Sequence, residues 1–191
     1  MGHFPLFERW FGIILRGTRK TRQRPNPSIR IRNFGQIDGR FYRGGQPRKN
    51  QFRDLAALGI DTVVDLRDDP KPYERLCVEA SGMRYVNIPM SDTEYPNSEQ
   101  IETFLRIVTE PGVDKLFVHC AGGRHRAGVI GAVYRLTINR WNYEQVYSEM
   151  KSYDFYERWG HAPLKKFVTD YSRRLDDQPS STRNSDKSRI V

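Results

Sequence analysis

The chain has 191 residues, 37% of them hydrophobic and 12% aromatic, enough to bury one sizeable core and to exclude a chain disordered throughout. Its longest apolar run near the start, residues 10–15, falls far short of the ~20 residues a membrane-spanning helix needs. The net charge of +9 is concentrated in residues 1–43, where ten Lys/Arg face only Glu8 and Asp38, while residues 44–175 carry 19 basic against 18 acidic groups. A basic arm on a nearly neutral body, with no aromatic interleaving, is not the footprint of a nucleic-acid binder. Glu8 and Arg9 break up the apolar start and no small-residue cleavage pattern follows, and only Cys77 and Cys120 occur. A cytoplasmic, reducing location is therefore expected.

Residues 1–28 read as the arm. Phe7, Trp10, Phe11 and Ile14 fit one side of a short helix, a basic run follows, and Pro25-Asn-Pro27 stops helix formation. Residues 1–24 either pack on the body or make a peripheral contact with an anionic membrane. One folded domain is expected over 29–175. Residues 29–34 and 41–43 suit strands around the turn at Asp38-Gly39, and Asn50 can cap a helix through Leu58 that ends at Gly59. A β-branched strand follows at 62–66. The spacing then predicts a helix over 73–81, with Tyr73, Leu76, Cys77 and Ala80 as its core stripe, and a strand over 85–88.

After a polar loop at 89–96, Asn97 and Gln100 stand at capping-box spacing before the stripe Ile101, Phe104, Leu105 and Val108. Pro111-Gly112 ends that helix. Residues 115–119 suit a strand, and 129–137, 143–151 and 163–175 suit closing helices. Strands separated by single helices imply an α/β fold, with a mostly parallel central sheet and helices on both faces. Residues 176–191, rich in serine and charge, are expected to be a disordered tail.

The chemistry concentrates in Lys115-Leu-Phe-Val-His-Cys120-Ala-Gly-Gly-Arg-His-Arg126-Ala-Gly. Cys120 closes a strand, Ala121, Gly122, Gly123, Arg124 and His125 make a tight loop, and a helix starts at about Arg126. Such a junction aims successive N–H groups and the positive end of the helix dipole at one point, which suits a phosphate dianion. The same field favours the Cys120 thiolate, a competent nucleophile. The planar fork of Arg126 can hold two phosphate oxygens. A proton donor for the leaving group belongs on a loop at the carboxyl end of another strand, where Asp92 stands; Glu94, Asp68 and Asp69 compete for that role. His119, Cys120 and His125 also suggest zinc, but a tight strand-to-helix loop does not present them convergently, so no metal is expected.

His119-Cys120-x5-Arg126-x-Gly128, with Asn87-Ile-Pro-x-x-Asp92 upstream, resembles the cysteine-dependent protein tyrosine phosphatase superfamily, specifically its small dual-specificity branch. Phe41-Tyr-Arg-Gly-Gly-Gln-Pro47, Leu58-Gly-Ile-Asp-Thr-Val-Val-Asp-Leu-Arg67 and Tyr85-Val-Asn-Ile-Pro89 are similar to the opening strands of bacterial members. The resemblance spans roughly residues 29–172. It implies Cys120 as nucleophile, Arg126 as phosphate clamp, Asp92 as general acid then base, His119 as support of the thiolate loop, and no metal or cofactor. Substrates would be phosphorylated proteins or polyphosphorylated small molecules. Arg124 and His125 either point to solvent or line the pocket mouth, as basic loop residues do in relatives acting on inositol phosphates. Family members usually carry Ser or Thr after the arginine, where its hydroxyl eases departure of the thiolate. Ala127 stands there, which opens slow turnover or a phosphate-binding pseudoenzyme as alternatives.

Overall fold

In chain order the elements are β1 (Gly35–Gln36), β2 (Phe41–Gly44), α1 (Gln51–Ala57), β3 (Thr62–Arg67), α2 (Glu74–Glu79), β4 (Arg84–Met90), α3 (Ser98–Thr109), β5 (Leu116–His119), α4 (Arg126–Thr137), α5 (Tyr143–Ser152) and α6 (Ala162–Asp177). The computed structural model describes residues 29–177, so the readings made for residues 1–28 and 178–191 lie outside the described residues. The strands form one sheet in the order β1-β2-β5-β3-β4. Four of them run parallel and β1 pairs antiparallel with β2. The expected α/β architecture is present, with α1 and α2 on one face and α3 to α6 on the other.

The strand order places the site. From β2 the chain crosses over through α1 to β3, and β4 returns through α3 to insert β5 between β2 and β3. Ligands of open parallel sheets bind where strand order reverses, beyond the carboxyl ends of the strands. The ends of β2, β3, β4 and β5 all open on that edge. Behind it lies α4, buried along every residue from Arg126 to Leu136. A helix enclosed on all sides has no polar face to present, and its sequence shows none. Phe41 of β2 stacks on Tyr134 of α4 at 4.7 Å and ties sheet to helix.

Three local readings need correction. Residues 29–34 form a turn rather than a strand: Phe34 N donates to Ile31 O, and Asn33 adopts a left-handed φ of 50°. Their apolar side chains are drawn to the cluster under α1 and α2, not to a strand face. Asn50 takes helical angles itself and makes no cap hydrogen bond; Gln51 Oε1 accepts from Arg48 N instead. In α2 the buried residues are Glu74 and Val78, while Leu76 is 69% exposed and Ala80 is exposed. Glu74 faces inward because it has a buried partner, described below.

Other signals hold. Gly59 terminates α1 with a φ of 81°. The capping box at α3 is complete, with Gln100 N donating to Asn97 Oδ1 and Asn97 N to Gln100 Oε1, each at 2.9 Å. An unforeseen second box, Asn142 with Gln145, starts α5. Two residues of the expected tail, Asp176 and Asp177, complete α6.

Candidate active site

Alternation along β5 sends Leu116, Val118 and Cys120 into the core below α4, and Phe117 toward α1 and α2. Cys120 is 3% exposed at the start of the loop that leads to α4. The loop's carbonyl oxygens are bound by distant groups. Ala121 O accepts from Gln46 N at 3.2 Å, Gly122 O from Asn33 Nδ2 at 3.0 Å, Gly123 O from Arg43 Nη2 at 2.8 Å, and Arg124 O from the same nitrogen at 3.2 Å. Among the described residues no N–H of 121–125 donates to a main-chain carbonyl. A turn whose oxygens are occupied elsewhere presents its amides as an anion cradle. Gly123 makes this packing possible: its φ is +69°, and a Cβ there would sit 2.5 Å from Gly44 C and Gly45 N.

Arg126, 6% exposed, opens α4 and reaches across to the neighbouring strands. Its Nη1 donates to Met90 O at the end of β4 (3.1 Å) and to Asp68 Oδ1 after β3 (2.9 Å). Both bonds use one nitrogen, so Nε and Nη2 form an edge suited to two phosphate oxygens. Ala127 follows in the first turn, fully buried.

The competing acids are sorted by their surroundings. Asp68 pairs with Arg126, Asp69 pairs with Arg67 at 2.7 Å, and Glu94 lines a recess with Tyr95, Asn97 and Gln100 on the α3 side. Asp92 is exposed in the loop after β4. Its main-chain oxygen accepts from His161 Nδ1 at 2.7 Å, and its carboxylate charge acts on His125 of the cysteine loop.

His125 takes neither orientation expected of it. It is 8% exposed, stacked on His161 at 3.5 Å and edge-on to Tyr156 at 4.4 Å. Burial, then the charges of His161 and Arg124, push its pKa down to about 4. Arg124 stays 35% exposed and lies 3.7 Å from Asp154.

His119 points to the opposite face of the sheet from Cys120, so His119, Cys120 and His125 do not converge. Its Nε2 lies 2.7 Å from Glu74 Oε1 and 3.9 Å from Asp65 Oδ1, all fully buried. Burial raises the Asp65 carboxyl, which accepts from Tyr85 Oη and Arg67 N. Glu74 Oε2 accepts from Gln46 Nε2, whose main-chain N–H binds the cysteine loop. Asp65, Glu74 and His119 bring metal-ligand atoms within 4.8 Å of one another; Tyr85, Arg67 N and Gln46 hydrogen-bond to the two carboxylates, while the His119 ring nitrogens make no hydrogen bond. Through Gln46 this network supports the loop.

Sequence reasoning missed three contributors. Arg43, 1% exposed, lies under the loop over the Tyr153 ring at 4.3 Å, and its signal was a charge inside an apolar strand. Asn33 stood in a segment read as strand, and His161 in no motif at all.

A cysteine at a strand end, a loop with open amides and a buried arginine at the start of the next helix are the arrangement expected of a cysteine-dependent phosphatase of the protein tyrosine phosphatase type, and comparison with known proteins shows that class. Residues 30–167 match the family model described as "DSP-PTPase phosphatase fused to NAD+ Kinase", and the chain belongs to that family. It is 29% identical over 127 residues to "Probable tyrosine-protein phosphatase DG1060" of Dictyostelium discoideum, covering 63% of this chain and 75% of that relative. It is 27% identical over 130 residues to "Inositol diphosphatase SIW14" of Saccharomyces cerevisiae, covering 64% of this chain and 46% of that relative. The fold is shared with the solved core catalytic domain of SIW14 from S. cerevisiae, at a TM-score of 0.68 and 23% identity over 84% of this chain and 95% of that one. Among the described residues no helix is long and apolar enough to cross a membrane.

Proposed function

We propose that the protein hydrolyses phosphate monoesters of tyrosine and similar protein side chains through a phosphocysteine intermediate. The Cys120 thiolate attacks phosphorus while Arg126 and the loop amides hold the equatorial oxygens. Asp92 gives its proton to the departing phenoxide or alkoxide. It then takes a proton from the water that attacks the phosphocysteine, and inorganic phosphate and the thiolate leave. The observation behind this reading is the loop itself: four consecutive carbonyls are held by Gln46, Asn33 and Arg43, and the amides are left for an anion. Asp92 is favoured as the acid because Asp68 and Asp69 already pair with arginines.

A second reading, an inositol polyphosphate phosphatase, draws on Arg124, a half-exposed cation on the loop, and on the SIW14 relative. His125 lends it no support, being turned inward and held neutral above about pH 4. Phosphate release from phosphotyrosine and phosphoserine peptides, inositol polyphosphates and phosphoinositides separates the two. A higher kcat/KM on phosphotyrosine peptide than on any inositol substrate is expected; the reverse order would replace the first reading with the second. The two cysteines are free, in keeping with action in the cytoplasm.

A further inference from the structure

His161 belongs to no motif and stands at the start of α6, yet it touches both loops of the site. It is 7% exposed. Its ring stacks on His125 with centroids 3.5 Å apart and planes at 17°. On its other side Nδ1 donates to Asp92 O at 2.7 Å. Tyr156 closes on both rings edge-on, at 4.4 Å from His125 and 5.4 Å from His161. Trp159 and Gly160 hold left-handed angles of 65° and 88° immediately before it, and a Cβ on Gly160 would lie 3.2 Å from Thr93 Cγ2. The segment 159–161 is therefore folded against the loop of Asp92, and its histidine spans from that loop to the residue before Arg126.

We infer that His161 is a positioning residue, which fixes the main chain of Asp92 relative to the phosphate loop so that its carboxyl reaches the leaving oxygen. The inference rests on the assignment of Asp92 as the acid. Anchoring the carbonyl of the residue that carries the acid limits where its short side chain can point, and displacement by about 1 Å can slow a reaction roughly 10²-fold. The stacked rings make the tether stiff, because His125 is itself packed against Phe155 and Tyr156.

The test compares phenyl phosphate, whose leaving group needs a proton, with 4-nitrophenyl phosphate, whose leaving group does not. Measurements of kcat/KM on the full chain include steps only through formation of the phosphocysteine, so slow hydrolysis at Ala127 does not enter. His161→Phe keeps the stack and loses the hydrogen bond. It is expected to lower kcat/KM about 10- to 100-fold on phenyl phosphate and less than about threefold on 4-nitrophenyl phosphate. His161→Asn places an amide nitrogen where Nδ1 stood and should recover most of the phenyl phosphate rate. Should His161→Phe not fold, His161→Gln, whose amide mimics Nε2 and misses Asp92, takes its place. Equal slowing of both substrates, or no recovery in His161→Asn, overturns the tether. Asp92→Asn run in parallel separates the two claims. If it is selective and the His161 variants are not, the tether alone falls. If Asp92→Asn slows both substrates alike, the acid assignment falls and the tether with it.

Discussion

The loops that follow β5 and β4 lie at the same edge of the sheet and are held in opposite ways. The cysteine loop has its oxygens bound by Asn33, Arg43 and Gln46, all far upstream in the chain. The Asp92 loop is folded on its own Ser91, whose hydroxyl accepts from the N–H groups of Thr93 and Glu94, and it reaches the rest of the site through His161. The groups proposed to hold phosphate are fixed by contacts which break only when the domain opens. Asp92, the proposed acid, sits on a local turn whose main chain is anchored to the rest of the site at one carbonyl, so its placement hangs on fewer contacts.

That contrast can be broken from the cysteine side first. Cys120→Ser leaves every loop hydrogen bond in place, so turnover should fall by about 10⁴ or more while phosphotyrosine peptide binding changes less than about threefold. Steady-state phosphate release and titration calorimetry measure the two. Gly123→Ala attacks the packing instead, through an unfavourable φ and a Cβ driven into the main chain of Gly44 and Gly45. A loss of about 2–4 kcal/mol in stability and at least about 10² in activity is expected. The same change at Gly122, where the nearest atom is 3.9 Å away, should stay within about 0.5 kcal/mol in urea unfolding.

Ala127→Ser sharpens the picture by supplying a hydroxyl to the departing thiolate. One hydrogen bond to a charged group is worth about 1.5 kcal/mol or more, so steady turnover should rise about tenfold with the initial burst unchanged. Rapid mixing with an aryl phosphate decides it; absence of a burst in the native protein and no gain in the variant would show that hydrolysis does not limit. A small effect belongs to the local turn. Ser91→Ala should cost about 1 kcal/mol or less in thermal unfolding, because its partners are two exposed N–H groups.

Legibility in the sequence follows the range of the contacts. The capping box at Asn97, the stop at Gly59 and the strand-loop-helix around Cys120 are local devices, and residue types three to six positions apart reveal them. The segment 29–34 misleads because Ile31 and Phe34 are apolar for a core reason while the main chain turns to bring Asn33 to Gly122. Glu74 misleads in the other sense: only the fold brings it to His119, so of the stripe drawn from apolar spacing Tyr73 and Cys77 reach the core while Leu76 and Ala80 face solvent. His161 is illegible for the same reason, its partners lying 69 and 36 residues upstream.

Arg43 links the site to the stability of the whole domain. Its guanidinium is out of water, burial lowers its pKa, and among the described residues no carboxylate hydrogen-bonds to it; Gly128 and Gly131 of α4 leave the space it fills. Removing a cation from water carries a penalty of several kcal/mol that loop carbonyls offset only in part. Tyr153, Cys120 and Glu149 are the groups whose charge favours the buried cation, so the cysteine loop and the core are coupled through this one side chain. Inorganic phosphate or vanadate is expected to raise the melting temperature with concentration, which differential scanning calorimetry measures. A neutral residue at position 43 would strip Gly123 O and Arg124 O of their donor, so the shape of the cysteine loop and the packing beneath α4 answer to the same side chain.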